Sequence, residues 1–295
     1  MSSTQTGIYQ DETFRDVDIG AIMREGHPDI EEGDEHVVNV IRKLRRQLQR
    51  PLRVLDVGAG SGHLSWLLAR EFQDGMIVAN EIAESPITQA RSKLAAFSNA
   101  QVFGRPFSEW DKTVDAVISW GTHHHLGHGY LDHVRRVLSP DGLLVIGDEM
   151  CPEYLTASDQ QRLRQAKAIE IVDGYIFDRA DDIENYRRTG MVPEWNLALE
   201  KARRKALWKW YKFVGDYAVA KDCWTVLITE LQIARDDLIT NFAEEHKTSP
   251  YLLQCELELN GFTITEKAVI GKRAPELQSF VVYTCNPGLA GLSAR

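Results

Sequence analysis

Residues 54–62 read Val-Leu-Asp-Val-Gly-Ala-Gly-Ser-Gly, and no other stretch restricts the fold of this chain as much. Val54, Leu55 and Val57 predict a short strand buried on both faces, the kind found in parallel sheets. Gly58, Gly60 and Gly62 predict a turn whose backbone N–H groups can approach a ligand with no Cβ in the way. From His63 to Phe72 the spacing of Leu64, Leu67, Leu68 and Phe72 predicts an amphipathic helix. Strand, glycine turn and helix in that order make a nucleotide-type ligand site. A dinucleotide fingerprint fails here, because the sixth position of G-x-G-x-x-G counted from Gly58 is His63.

The downstream order supports an α/β chain. Met76 to Asn80 predicts a second strand, followed by Glu81, an acid 23 residues past Gly58 (81 minus 58). An acid at that strand end can accept hydrogen bonds from ribose hydroxyls. Ser85-Pro86 opens a helix to Phe97 by the N-cap and N1 preferences. Val114 to Ser119 is a further strand, and Leu138 to Gly142 is a turn feeding another at Leu143 to Ile146.

These residues resemble motifs of the class I S-adenosylmethionine (SAM)-dependent methyltransferases. The acid-x-Gly-x-Gly-x-Gly pattern from Asp56 is similar to motif I. Asp115-Ala116-Val117-Ile118-Ser119, His124-His125-Leu126 and Arg136 to Gly142 are similar to motifs IV and V. The likeness runs from about residue 50 to residue 150, in order. It implies a Rossmann-like α/β fold: a seven-stranded, mostly parallel sheet with a C-terminal antiparallel hairpin. It also implies SAM as cofactor. Gly58, Ala59 and Gly60 would cradle its methionine part, Asp56 would meet the amino group, and Glu81 with Ile82 would hold the ribose end. Ser119, Trp120 and His125 complete the expected cofactor contacts. Where family members often place an Asp against adenine, this chain has Val102 to Phe107. Backbone near Pro106 and the Phe107 ring are the expected substitutes.

Charge narrows the partners. A net charge of −9 argues against nucleic acid and anionic membrane, which need clustered positive charge. The runs Arg42 to Arg46 and Lys201 to Lys205 read as solvated helix faces. No stretch is apolar enough to span a membrane, the N-terminus lacks a signal-peptide pattern, and the four cysteines show no C-x-x-C pairing. These features predict a cytoplasmic protein without a zinc site or structural disulfides.

Four segments follow. Residues 1–36 are acidic and read as irregular, either a disordered tail or an active-site cover carrying Tyr9 as a substrate contact. Residues 37–150 form the expected SAM-binding core, opened by a helix from His36 to Leu48. Residues 151–250 read as an inserted cap with helices at 158–173, 179–188, 195–220 and 224–246. Residues 251–295 supply a last helix and the hairpin strands 262–266 and 279–284. Such a cap can hold an acceptor pocket or serve as an arm for a homodimer.

Aromatic residues gather in the inserted segment, and most should be packing. Tyr175 and Tyr211 are candidates to face a sulfonium, whose cation an aromatic ring stabilises. With Trp120, Tyr211 is also a candidate acceptor contact. The run His123-His124-His125, followed by His128, raises a metal reading, but adjacent histidines rarely converge on one ion and no metal is expected. His124 is instead a candidate general base beside Tyr175 as the second catalytic candidate. The expected function is methyl transfer from SAM to oxygen or nitrogen of a small molecule. Two alternatives remain at this level: another SAM reaction on the same fold, such as aminocarboxypropyl transfer or closure to azetidine-2-carboxylate with release of methylthioadenosine, and a non-catalytic SAM-binding protein.

Overall fold

Val54, Leu55, Asp56 and Val57 are all buried, as a strand covered on both faces must be, and they lie in the middle of a seven-stranded sheet. The computed structural model describes residues 17–27, 29–126, 129–239, 246–271 and 280–288. Its first half alternates helices α1 (Ile19–Gly26) and α2 (Ile30–Leu48) with β1 (Arg53–Val57), α3 (His63–Glu71), β2 (Met76–Asn80), α4 (Glu84–Leu94), β3 (Ala100–Phe103), β4 (Val114–Trp120), α5 (Tyr130–Val137) and β5 (Leu138–Glu149). There follow α6 (Ala157–Arg164), β6 (Glu170–Val172), β7 (Tyr175–Phe177), α7 (Ala180–Thr189), α8 (Glu194–Ala220) and α9 (Trp224–Ile239). Helix α10 (Pro250–Leu259) and strands β8 (Phe262–Ile270) and β9 (Phe280–Pro287) close the chain.

The sheet order is β3-β2-β1-β4-β5-β9-β8. Strands β1 to β5 pair in parallel, while β9 runs antiparallel to both β5 and β8. The chain winds outward from β1 to β3, then returns across the sheet to β4. This reversal puts a crevice at the carboxyl ends of β1 and β4, where ligands enter open α/β sheets.

Two apolar layers cover the sheet. One joins α2 (Val37, Ile41, Leu44) and α3 (Leu64, Leu68) to the sheet residues Val54, Ile118 and Val145. Leu207, Trp210 and Val214 of α8 belong to that same layer, so the segment inserted after β5 shares the core of the sheet. The other layer packs α5 (Leu131, Val134) and α10 (Leu253, Leu257) on Leu55, Val117 and Leu144.

Two expected segments differ. Residues 19–26 and 30–36 are helical rather than irregular: Asp18 caps α1 by accepting from Ala21 N–H at 3.0 Å, and α2 starts at Ile30, ahead of the expected His36. The expected helix over 158–173 ends at Arg164, and residues 170–177 form a hairpin instead. Val172 pairs with Tyr175 across Asp173 (φ 50°) and Gly174 (φ 80°). Two consecutive positive φ angles are the signature of the tight turn that matches strand twist, and Asp-Gly is its preferred sequence.

Helices α8 and α9 are pinned by a buried ion cluster. Arg203, 2 % exposed, donates to Glu200 (2.7 and 2.9 Å) and to Asp237 Oδ1 (2.6 Å), while Arg204 donates to Glu200 from the half-buried side (2.7 Å). Arg203→Ala leaves two buried carboxylates facing each other without that cation. Urea unfolding should show a loss of roughly 3–5 kcal/mol; a loss below about 1 kcal/mol, the range of exposed pairs, would contradict a buried network.

Candidate functional site

The turn after β1 is built around left-handed glycines. At Gly58 (φ 70°) an added Cβ would fall 2.0 Å from Cγ2 of Thr122, whose Oγ1 donates to the Gly58 carbonyl at 3.0 Å. The crevice between β1 and β4 is thus closed at its base by a contact that only glycine permits. Gly60 (φ 52°) differs: no atom of the described residues lies within 4 Å of its added Cβ. Its left-handed backbone therefore opens onto space at the N-terminal end of α3.

Glu81, at the end of β2 and buried, holds that turn. Its Oε2 accepts from Gly60 N–H at 3.0 Å, and its Oε1 accepts from Ile82 N–H at 2.7 Å and Ala83 N–H at 2.9 Å. Ile82 beside it is half exposed. Asp56 points into the base of α3, where Ser65 Oγ donates to it at 2.7 Å. Burial pushes the Asp56 carboxyl up to about 6 against the opposing Ser65 hydrogen bond. Asn80 donates to the carbonyls of Phe103 (3.0 Å) and Arg105 (2.7 Å), which fixes the loop carrying Pro106. The Phe107 ring enters the core and meets His133 edge-on at 4.6 Å.

At the end of β4, Ser119 is fully buried and the Trp120 indole lies in a slot between α2 and β5. A Cβ at Gly33 would fall 2.1 Å from its Cη2, and one at Gly147 2.2 Å from its Cε3. Trp120 also hydrogen-bonds Asp34, whose carboxyl burial pushes up to about 7 despite the nearby Arg24. Asp34 Oδ2 lies 3.5 Å from His63 Nε2. Burial, with Arg24 and Lys93 close by, drops the His63 imidazole to about 4.

The three histidines that follow diverge. His123 Nδ1 bonds the Tyr130 hydroxyl at 2.7 Å, and its Nε2 is 3.5 Å from Glu256. His124 Nδ1 lies 2.8 Å from Asp148 Oδ1, and its backbone N–H donates to Asp148 Oδ2 at 3.0 Å. The His125 ring packs on His124 with centroids 4.0 Å apart. Although burial favours the neutral acid, His124 holds the Asp148 carboxyl below the usual range. A buried carboxylate on Nδ1 fixes the orientation of the ring. Among the described residues no group of three or more His, Cys, Asp or Glu side chains is placed to hold a metal.

Ser119, Trp120, His124 and His125 are brought together at one strand end, across the crevice from Gly58 and Gly60. Tyr175 lies apart on the β6–β7 hairpin with its ring 6.0 Å from that of Tyr186. Tyr211 is buried between α8 and α9, donating to Asp237 Oδ2 at 3.0 Å and accepting from Lys247 Nζ at 3.2 Å. Tyr9 and His128 fall outside the described residues.

A second buried polar group meets the end of β5. His27, between α1 and α2, bonds Glu230 Oε1 of α9 at 2.7 Å, and its Nδ1 is 3.5 Å from Glu149 Oε1. Lys247 Nζ approaches Glu149 Oε2 at 3.8 Å. The His27 ring also faces Trp210 and Phe280, each at 6.1 Å. Sequence reasoning did not single out His27, Asp34, Gly33 or Gly147. The partners of His27 are 122 and 203 residues away (149 minus 27, 230 minus 27), beyond any local pattern.

Burial works against charging His27, but Glu149 and Glu230 outweigh it and raise its pKa to about 9. Its contribution to stability is therefore full below about pH 6.5 and lost as pH rises through about 9. Unfolding free energy should fall across that window by up to about 1.4 kcal/mol per pH unit. His27→Gln should flatten the slope; an unchanged slope would show that His27 is not the titrating group.

A family model described as "Methyltransferase domain" matches residues 54–142. No curated protein matches the chain. Among solved structures, the chain is similar to 1,6-didemethyltoxoflavin-N1-methyltransferase of Burkholderia thailandensis, which has bound 1,6-didemethyltoxoflavin and S-adenosylhomocysteine. The TM-score is 0.48 and the identity 15 %, over 92 % of this chain and 81 % of that one. Magnesium protoporphyrin IX methyltransferase of Synechocystis, with bound S-adenosylhomocysteine, aligns at a TM-score of 0.47 and 12 % identity over 94 % and 97 % of the two chains. A SAM-dependent methyltransferase of Aquifex aeolicus aligns at 0.45 and 16 % over 83 % and 89 %.

Proposed function

We propose that this chain, which through residues 54–142 belongs to the class I SAM-dependent methyltransferase superfamily, methylates an oxygen or nitrogen of a small-molecule acceptor. The observation that carries this reading is Gly60: a left-handed glycine that no described residue approaches at its Cβ position, with its N–H held by the buried Glu81 carboxylate. Glu81, the Gly58-Ala59-Gly60 backbone and Asp56 would hold the ribose and methionine parts of SAM. Ile82 and the Pro106 loop would flank the base, with Ser119, Trp120 and His125 on the facing strand end. Phe107 would contribute as the core support of that loop, given where its ring packs. Residues 37–150 and the closing hairpin would form the cofactor unit and the segment 151–250 the acceptor side, without Tyr175, which lies apart on its hairpin, or Tyr211, whose hydroxyl is taken by Asp237 and Lys247.

When bound, SAM supplies an electrophilic methyl carbon on a sulfonium. The chain's task is alignment of the acceptor with that carbon, a gain in proximity and orientation. His124, oriented by Asp148, would take the proton of an O–H or N–H acceptor at Nε2.

Calorimetric titration of SAM tests the cofactor site. Glu81→Ala should weaken binding about 10- to 100-fold, the range expected for lost hydrogen bonds to a charged group. Gly60→Val is strained at φ 52° but its Cβ meets no atom of the described residues, so it should keep a cooperative melt at a lowered Tm while losing SAM binding. His124→Ala should leave SAM affinity intact and lower turnover of an accepted substrate by about 10²- to 10⁴-fold. Unchanged titration heats in both cofactor-site variants would refute the assignment.

A further inference from the structure

Helix α9 carries two faces of different kind. Val226, Thr229, Glu230 and Asp237 are buried against the rest of the chain. On the opposite side Trp224, Ile228 and Leu231 are 55 %, 52 % and 62 % exposed. Their spacing of four and three residues places them on one helix face. A single exposed apolar residue is ordinary, but three large ones in a row on one helix mark an interaction surface. Trp208 and Val219 on the adjoining α8 are exposed as well.

The charges at the two ends of this stripe identify what fits it. Exposed Asp222 lies six residues before Ile228 and exposed Arg235 seven after it. Trp224 lies four before and Leu231 three after. The Trp224 indole N–H donates to Asp222 Oδ1, which fixes that carboxylate at the stripe's end. Reversing the helix about Ile228 therefore exchanges apolar for apolar and acid for base. An isologous contact requires this self-complementarity, in which residue i meets j and j meets i.

We propose that a second copy of this chain docks here, with α9 packed antiparallel on α9 about a two-fold axis at Ile228. Trp224 of one copy lies beside Leu231 of the other, and Asp222 beside the other's Arg235. The Ile228 side chains meet at the axis. The surface is the back of the helix whose inner face presents Glu230 to His27, so pairing braces the wall of the buried charge group. It is independent of the proposed methyl transfer.

Light scattering on the full chain reads the assembly directly. At about 10 µM, a concentration that detects micromolar affinity, the mass should be 67 kDa (2 × 33.5 kDa). Ile228→Glu with Leu231→Glu should give 33.5 kDa and an unchanged far-ultraviolet circular dichroism spectrum. Register is tested by Ile228→Cys in a Cys223→Ser background, which should oxidise to a disulfide-linked dimer because the on-axis positions are within bridging reach. Leu197→Cys, exposed on α8 away from the stripe, should not. A monomeric parent chain overturns the proposal, as does a dimer that survives the double substitution. Cross-linking at Leu197→Cys without cross-linking at Ile228→Cys overturns it too. A monomer that sediments with phosphatidylserine vesicles assigns the stripe to a lipid surface and also refutes pairing.

Discussion

The carboxylate of Glu81 is the interaction on which the site depends. One oxygen accepts from Ile82 and Ala83 at the start of α4, and the other from Gly60 in the turn after β1. A buried charge is tolerated only when hydrogen-bonded, and here the backbone supplies the donors. The same bonds join the first two strand ends and hold a glycine in a left-handed conformation. A carboxylate has about four lone-pair positions, so three amides leave acceptor capacity on Oε2. The group that shapes the turn can therefore also serve a ligand's hydroxyl.

Around this joint the molecule concentrates buried polar chemistry at the carboxyl ends of the strands. Asp56, Asp34, Asp148 and Glu149 all sit there, each with a specific donor or cation. The inserted helices are tied in by the same means. Lys247 links Glu149 to Tyr211, Tyr211 links to Asp237, and Asp237 to Arg203. Apolar packing of Leu207, Trp210 and Val214 against the sheet layer makes the connection continuous. The insertion therefore belongs to the core mechanically, which helps position anything bound between it and the sheet.

How much of this was legible in the sequence depends on range. The first strand, glycine turn and acid at the end of β2 are local patterns, and each stands where the spacing placed it. The hairpin at 170–177 is also local, yet the reading of 158–173 as one helix takes in its first strand. Asp173-Gly174 between Ile171-Val172 and Tyr175-Ile176-Phe177 is a strong turn signal, overridden by the apparent low Gly content of the longer window. The helices before residue 36 were hidden by acidic composition, although Asp18 and the apolar residues after it supply a cap and a face. The His27 group was not legible, because its members come from the loop before α2, the end of β5, α9 and the segment before α10. For the histidine run, only the structure separates the three rings and gives His124 its carboxylate partner.

On the proposed function, the crevice bordered by Gly60, Glu81 and Trp120 would present SAM for attack at its methyl carbon. The identity of the product reports which carbon next to sulfur is attacked. The most direct measurement is mass spectrometry of purified protein incubated with SAM, first alone and then with a panel of small hydroxyl and amine acceptors. The account predicts no conversion without acceptor, and S-adenosylhomocysteine with a methylated product in equal amounts when an acceptor is supplied. Methylthioadenosine together with a cyclic amino acid from SAM alone would contradict it.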